Sequence, residues 1–129
     1  MRPRPASLLL ILFSVSAFLL ACGSSRSLQS VSVSPTVATS PAQFTATGTF
    51  NTMPNSVDIT STITWCVGSN NGVCAGNISI EATVGNGAAQ CLAGFSGTVT
   101  ILAGQAGPSP GPDVGAQLKP FGSAQLTCP

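Results

Sequence analysis

The chain has 129 residues, no histidine or tyrosine, and only 5% charged residues, which leave a net charge of +1. This length accommodates one domain of ordinary size and excludes two. After residue 21 the basic side chains are Arg26 and Lys119, and two cations cannot neutralise a row of phosphates. We therefore expect no nucleic acid partner, and the same scarcity excludes a polybasic patch as the means of membrane attachment.

The N-terminal residues have the organisation of a signal peptide. Arg2 and Arg4 precede an apolar run over residues 8–20 that two serines interrupt. The run is short for a membrane-spanning helix, so the sequence predicts a signal peptide over residues 1–21. An uncleaved transmembrane helix and an ordinary secretory signal cut nearby are the alternatives.

The end of this run, Leu19-Leu20-Ala21-Cys22, resembles the lipobox of bacterial lipoproteins. The resemblance implies cleavage before Cys22 and attachment of lipid, palmitate included, to that cysteine. We therefore expect a protein held by this lipid at a membrane of the cell envelope, the outer membrane or the cell surface rather than the inner membrane. Residues 22–27 are then a lipidated cysteine and a flexible tether, and residues 28–129 form the domain.

The rest of the chain has the alternation of short β-strands, in which apolar residues alternate with polar ones and Gly, Pro and Asn separate the runs. A loop over residues 104–120, rich in Gly and Pro, is long for a compact domain. Short strands without a helical period predict an all-β fold, an antiparallel β-sandwich. The predicted strands are residues 28–35, 43–50, 57–67, 78–84, 88–93, 97–103 and 122–128.

Alternate positions within these strands predict the core. Trp65 is the expected core anchor, because it falls on the same face of the 57–67 strand as Ile63 and Ile59. In the last two strands the predicted inward side chains are Val99, Ile101, Ala124, Leu126 and Cys128.

Four of the runs follow one another with a characteristic order and spacing: Leu28-Gln29-Ser30-Val31-Ser32-Val33-Ser34-Pro35, Gln43-Phe44-Thr45-Ala46-Thr47-Gly48, Thr62-Ile63-Thr64-Trp65 and Gly97-Thr98-Val99-Thr100-Ile101. Together they resemble the bacterial Ig-like domains of group 2. The resemblance implies an Ig-like sandwich of about seven strands. The cysteines and the 104–120 loop depart from that family, and in its cysteines the chain is similar to versions in acidobacteria-like lipoproteins.

Five cysteines are an odd number, and lipid on Cys22 accounts for one of them. The other four, Cys66, Cys74, Cys91 and Cys128, are the even set expected of two disulfides in an exported protein. A zinc site is the competing interpretation, but the chain has no CxxC pair and no histidine, so we expect no metal.

The four cysteines allow three pairings. We favour Cys66–Cys74, which closes a short loop over an Asn-Gly turn, together with Cys91–Cys128, which pins the last strand. Cys66–Cys91 with Cys74–Cys128 is the main rival. In either case we expect all four cysteines toward one end of the sandwich.

A catalytic interpretation has little support. Asp58, Glu81 and Asp113 are the only side-chain carboxylates, and neither histidine nor a basic cluster accompanies the cysteines. We therefore expect a protein that is not an enzyme and that uses no cofactor.

The sequence favours a lipid-anchored envelope protein whose Ig-like domain is a structural or protein-interaction module. The alternative is a surface carbohydrate-binding or adhesion module. Glycan sites usually present aromatic platforms, which would here come from Trp65, Phe44, Phe50, Phe95 or Phe121.

Overall fold

The computed structural model describes residues 25–75, 80–108 and 115–129, which form ten strands and no helix. The strands are β1 (Leu28–Ser34), β2 (Val37–Thr39), β3 (Ala42–Gln43), β4 (Thr45–Phe50), β5 (Ser56–Asp58), β6 (Thr64–Val67), β7 (Ala82–Gly85), β8 (Ala88–Cys91), β9 (Gly97–Ala106) and β10 (Leu118–Cys128).

The strands form two layers. In the first, β3 and β4 are separated only by Phe44 and act as one long strand: β4 pairs with β1 and β5, while β3 pairs with β8, which pairs with β7. The second layer has the order β2-β10-β9-β6. With the long strand counted once and β5 and the edge strand β2 set aside, this is the ABED and CFG strand order of immunoglobulin domains.

The predicted all-β sandwich is confirmed, with two differences. Ten strands replace the expected seven or so, because two of the predicted strands are divided and β2 was not predicted. One pair is parallel: the chain leaves the first layer after Ser34 and joins the second as β2, which runs parallel to β10.

The inner core lies between the layers. Val99 and Ile101 of β9 are buried, as are Ala124, Leu126 and Cys128 of β10, so the predicted inward positions of the last two strands are confirmed. Phe44 is fully enclosed at the break between β3 and β4. Alternation predicts these positions because successive side chains of a strand point to opposite faces of the sheet, and one of the two faces covers the inner core.

The predicted strand at 57–67 is wrong as a single element. The chain leaves β5 after Asp58, turns over residues 59–63, and enters the other layer as β6. The Asp58 carboxylate accepts a hydrogen bond from the Thr60 backbone N–H at 2.9 Å, and the backbone N–H groups of Thr62 and Ile63 both donate to the Ile59 carbonyl at 3.0 Å. This local turn chemistry overrides the strand propensity of Ile and Thr.

The predicted loop at 104–120 is partly strand. β9 continues to Ala106 and β10 begins at Leu118, so the two form a long ribbon, and residues 109–114 lie outside the described part of the chain. Gly104 permits this pairing, because a side chain there would begin 2.7 Å from the Pro120 carbonyl oxygen. Glycine and proline in this stretch therefore lie within strands, although the sequence pattern predicted a loop.

The hairpin between β7 and β8 turns at Asn86 and Gly87, whose positive φ angles of 49° and 80° are those of a tight two-residue hairpin turn. These strands correspond to the predicted runs at 78–84 and 88–93, although residues 76–79 lie outside the described part of the chain.

Candidate functional site

The residue with the clearest predicted chemistry, Cys22, lies outside the described residues, as does the whole predicted signal peptide. The first described residue is Ser25. The candidate sites among the described residues therefore lie on the surface of the sandwich and at the place where the chain reaches it.

The chain reaches the sandwich at one end, which we call the entry pole and define by Ser25 to Leu28, Phe50 to Asn55 and Gln105. The Ser27 backbone N–H donates to the Asn51 side-chain oxygen at 2.8 Å, and the Asn51 side-chain amide donates to the Ser25 carbonyl at 3.3 Å. Residues 25–27 were expected to belong to a flexible tether. The side chains of the β4–β5 turn hold them instead.

Arg26 strengthens this attachment. Its guanidinium lies 4.1 Å from the centre of the Phe50 ring and donates to the Pro54 carbonyl at 2.8 Å. A guanidinium over an aromatic face is attracted by the ring quadrupole. Beside it is a surface recess of about 390 Å³ whose walls include Arg26, Ile63 and Gln105. Neither the recess nor the stacking followed from the sequence, in which Arg26 is the only arginine after residue 21.

The opposite end, the far pole, is defined by Ser40, Gln90 to Ser96 and Pro129. Ala42 at the start of β3 and Phe50 at the end of β4 are eight residue steps apart, so the two poles are separated by roughly 26 Å of strand. A concavity of about 400 Å³ occupies this end.

The far-pole concavity has both polar and apolar walls. Phe95 and Leu92 line it together with Ser40 and Gln90. The Cys91 backbone N–H donates to the Ser40 hydroxyl oxygen at 2.9 Å, and the Ser40 N–H donates to the Thr127 carbonyl at 3.0 Å. The concavity was not predicted, since it is assembled from Ser40, from residues 90–96 and from Pro129, which are far apart in the sequence.

Trp65 lies in β6 opposite Ala103 and packs against the inner core, but it is half-buried, less enclosed than expected of a core anchor. Its indole N–H donates to the Thr60 carbonyl at 2.8 Å. The polar edge of the ring is therefore used within the fold, and Trp65 lies outside both concave surfaces described above.

The structure joins Cys66 to Cys74 and Cys91 to Cys128, the pairing favoured from the sequence. Cys91–Cys128 connects β8 of the first layer to β10 of the second. Cys66–Cys74 closes the loop over Asn71-Gly72, where Gly72 has a φ of 81°. This loop covers a small outer cluster in which Cys74, Leu102 and Leu118 are buried.

The expectation that all four cysteines lie at one end is wrong. Cys128 pairs with Gly97 at the start of β9, whereas Cys66 pairs with Leu102, five residues further along. That register separates the two disulfides by roughly 16 Å along the strand. Cys66 also faces the outer cluster, because its neighbours Trp65 and Val67 face the inner core.

The charged side chains are dispersed. Hydrogen bonds from the Thr60 hydroxyl and then from the Thr60 backbone N–H hold the pKa of the exposed Asp58 carboxyl below its ordinary value. Glu81 lies beside Val67 and Cys74 on another part of the surface. In the part of the chain that the structure describes, no group of three or more His, Cys, Asp or Glu side chains could hold a metal ion.

No family model matches the chain, and no curated protein matches it. The fold itself defines the class of the protein, which is all-β with an immunoglobulin-like sandwich and two disulfides. Across residues 25–75, 80–108 and 115–129, no helix is long and apolar enough to cross a bilayer.

Proposed function

We propose that this protein is a lipid-anchored component of a bacterial cell envelope, with lipid on Cys22, whose Ig-like domain of the group 2 type is a structural or protein-interaction module. The observation that carries the proposal is the Leu19-Leu20-Ala21-Cys22 motif, which directly follows an apolar run and directly precedes the segment that enters the sandwich.

The geometry of the entry pole supports an anchoring role for the N-terminal segment. Ser25 and Ser27 are held by Asn51, and Arg26 is held by Phe50 and Pro54. A lipid attached a few residues earlier would therefore fix one defined end of the domain at the membrane. The far pole, with its concavity, would be the end presented to partners.

Metabolic labelling tests the anchor. Radiolabelled palmitate should enter the full-length protein and should not enter a Cys22→Ala variant, because that substitution removes the thiol to which the lipid attaches. A Ser24→Ala variant, with a change of similar size two residues away, is the control and should be labelled like the wild type. Label that persists in Cys22→Ala would contradict the proposal.

Surface carbohydrate binding is the second candidate, and one observation favours it. Phe95 is half-buried and lines the far-pole concavity together with Gln90 and Ser40, so an aromatic side chain and polar side chains share one concave surface. Trp65 does not contribute to it, since that ring lies elsewhere and its N–H is occupied.

A glycan array separates the two candidates. If the concavity binds a sugar, Phe95→Ala should lower the affinity at least tenfold, because stacking on an aromatic ring is a main source of such binding energy. Phe121→Ala is the matched control, since Phe121 belongs to the outer cluster. Equal losses in the two variants, or no bound glycan at all, would contradict the carbohydrate-binding candidate.

A further inference from the structure

The entry pole lies within a short reach of the proposed anchor. Gly23 and Ser24 are the only residues between Cys22 and Ser25. Three peptide units span at most about 11 Å even when fully extended. If Cys22 carries lipid, as proposed above, Ser25 therefore cannot lie further than this from the cysteine at the membrane surface.

The two described cations are both at this end of the sandwich. Arg26 stacks on Phe50. Lys119 is exposed on β10 between Leu118, which pairs with Ala106, and Phe121, which pairs with Gly104. Lys119 is therefore level with Gln105, a wall of the recess beside Arg26.

Neither described carboxylate side chain lines the recess beside Arg26, although Ile59, the neighbour of Asp58, does. Asp58 is opposite Thr47, three residues of strand away from Phe50. Glu81 accepts a hydrogen bond from the Leu92 backbone N–H at its carbonyl, which places it beside the far pole. The described charges are thus distributed unevenly along the long axis, with the cations at the end that the chain enters.

An exposed apolar side chain lies close to Arg26 in the sequence of contacts at this pole. Met53, in the turn between β4 and β5, is 83% exposed, more than any other large hydrophobic residue described. The adjacent Pro54 carbonyl accepts the hydrogen bond from Arg26. An apolar side chain next to basic ones is the pattern of surfaces that rest at the boundary between headgroups and acyl chains.

We propose that the entry pole docks on an anionic lipid bilayer, with Met53 at the boundary between headgroups and acyl chains and with Arg26 and Lys119 at the headgroup phosphates. Two cations are too few to recruit the protein from solution, but a tether of this length holds the pole at the surface at a high effective concentration. The domain then stands on the membrane and directs the far pole away from it.

Vesicles with a chemically defined tether test the docking independently of biological lipidation. Every described strand and both disulfides lie within residues 25–129, so a chain of residues 22–129 retains the fold. With the other four cysteines in disulfides, the Cys22 thiol can be coupled to a maleimide lipid. Met53→Trp then reports insertion through quenching by a lipid with a nitroxide on its acyl chain, and Ser96→Trp at the far pole is the matched control.

We expect strong quenching of Met53→Trp above the Trp65 background on vesicles that contain phosphatidylglycerol, and none of Ser96→Trp. Adding Arg26→Gln or Lys119→Gln to the Met53→Trp chain should each lower the ratio of docked to undocked protein roughly fivefold, and neutral phosphatidylcholine vesicles should lower it further. Equal quenching at both poles, no quenching at position 53, or an effect of Arg26→Gln without one of Lys119→Gln would overturn the proposal. Failure of palmitate labelling would overturn the native anchor alone.

Discussion

Replacing Phe44 by alanine is expected to lower the free energy of unfolding by about 3–5 kcal/mol. Phe44 is 0% exposed and is the largest of the fully buried side chains of the sandwich. It occupies the one-residue break between β3 and β4 in the long strand of the first layer. On one side of the break β3 pairs with β8, and on the other side β4 pairs with β1 and β5. Loss of the ring leaves a cavity at the centre of that layer, and the rigid strands around it can close only part of the space.

The backbone at this position should survive the substitution, because the Phe44 N–H donates to the Gly87 carbonyl at 2.8 Å and alanine keeps that group. Urea unfolding followed by circular dichroism measures the effect as a lower midpoint with an unchanged slope. Phe121→Ala is the matched control. Phe121 is half-buried in the small outer cluster, so its loss should cost less than half as much. Equal costs would mean that the inner core does not dominate the stability.

The inner core could be read from the sequence because period-2 alternation maps directly onto a sheet that is buried on one face. The second half of β10 follows this rule without a break, whereas β9 has four consecutive buried residues from Ile101 to Gly104, because Leu102 is buried in the outer cluster on the opposite face. The alternation rule fails where a side chain or a carbonyl group makes hydrogen bonds within a local turn. The Asp58 side chain and the Ile59 carbonyl end one strand and begin a connection between layers inside a run of good β-formers.

The opposite failure occurs in the ribbon of β9 and β10. Gly104 and Pro120 are normally signs of a loop, yet here both lie within strands: Gly104 is opposite Phe121, and a side chain on it would begin 2.7 Å from the Pro120 carbonyl oxygen. The advantage of glycine at this position arises from the neighbouring strand. A single sequence contains no information about that neighbour until the register is known.

The candidate surfaces were less predictable than the fold. The far-pole concavity depends on Ser40 meeting Cys91, which are 51 positions apart, and no spacing rule connects them. At the entry pole, Asn51 and Pro54 look like ordinary turn residues, and their bonds to Ser25, Ser27 and Arg26 exist only because β1 pairs with β4. Only the disulfides carried a signal in the sequence, through the even number of cysteines left after Cys22.

The Cys91–Cys128 disulfide is expected to contribute about 4 kcal/mol to stability, and Cys66–Cys74 about 2.5 kcal/mol. The difference follows from chain entropy. The first bridge closes a loop with a sequence separation of 37 and the second one with a separation of 8, and the longer loop restricts the unfolded chain more. Denaturant unfolding of the paired variants Cys91→Ala/Cys128→Ala and Cys66→Ala/Cys74→Ala, against the unsubstituted chain, measures both values.

The two variants should also differ in where they loosen the fold. Cys91–Cys128 joins the layers next to the far-pole concavity, so its removal should raise amide hydrogen exchange at residues 91–96 and leave residues 50–55 at the entry pole unchanged. Removal of Cys66–Cys74 should raise exchange at residues 68–75 alone. A uniform rise in amide hydrogen exchange across the sandwich in both variants would contradict this prediction. It would mean that the disulfides stabilise the sandwich as a whole, and that the far-pole concavity has no rigidity of its own with which to recognise a partner.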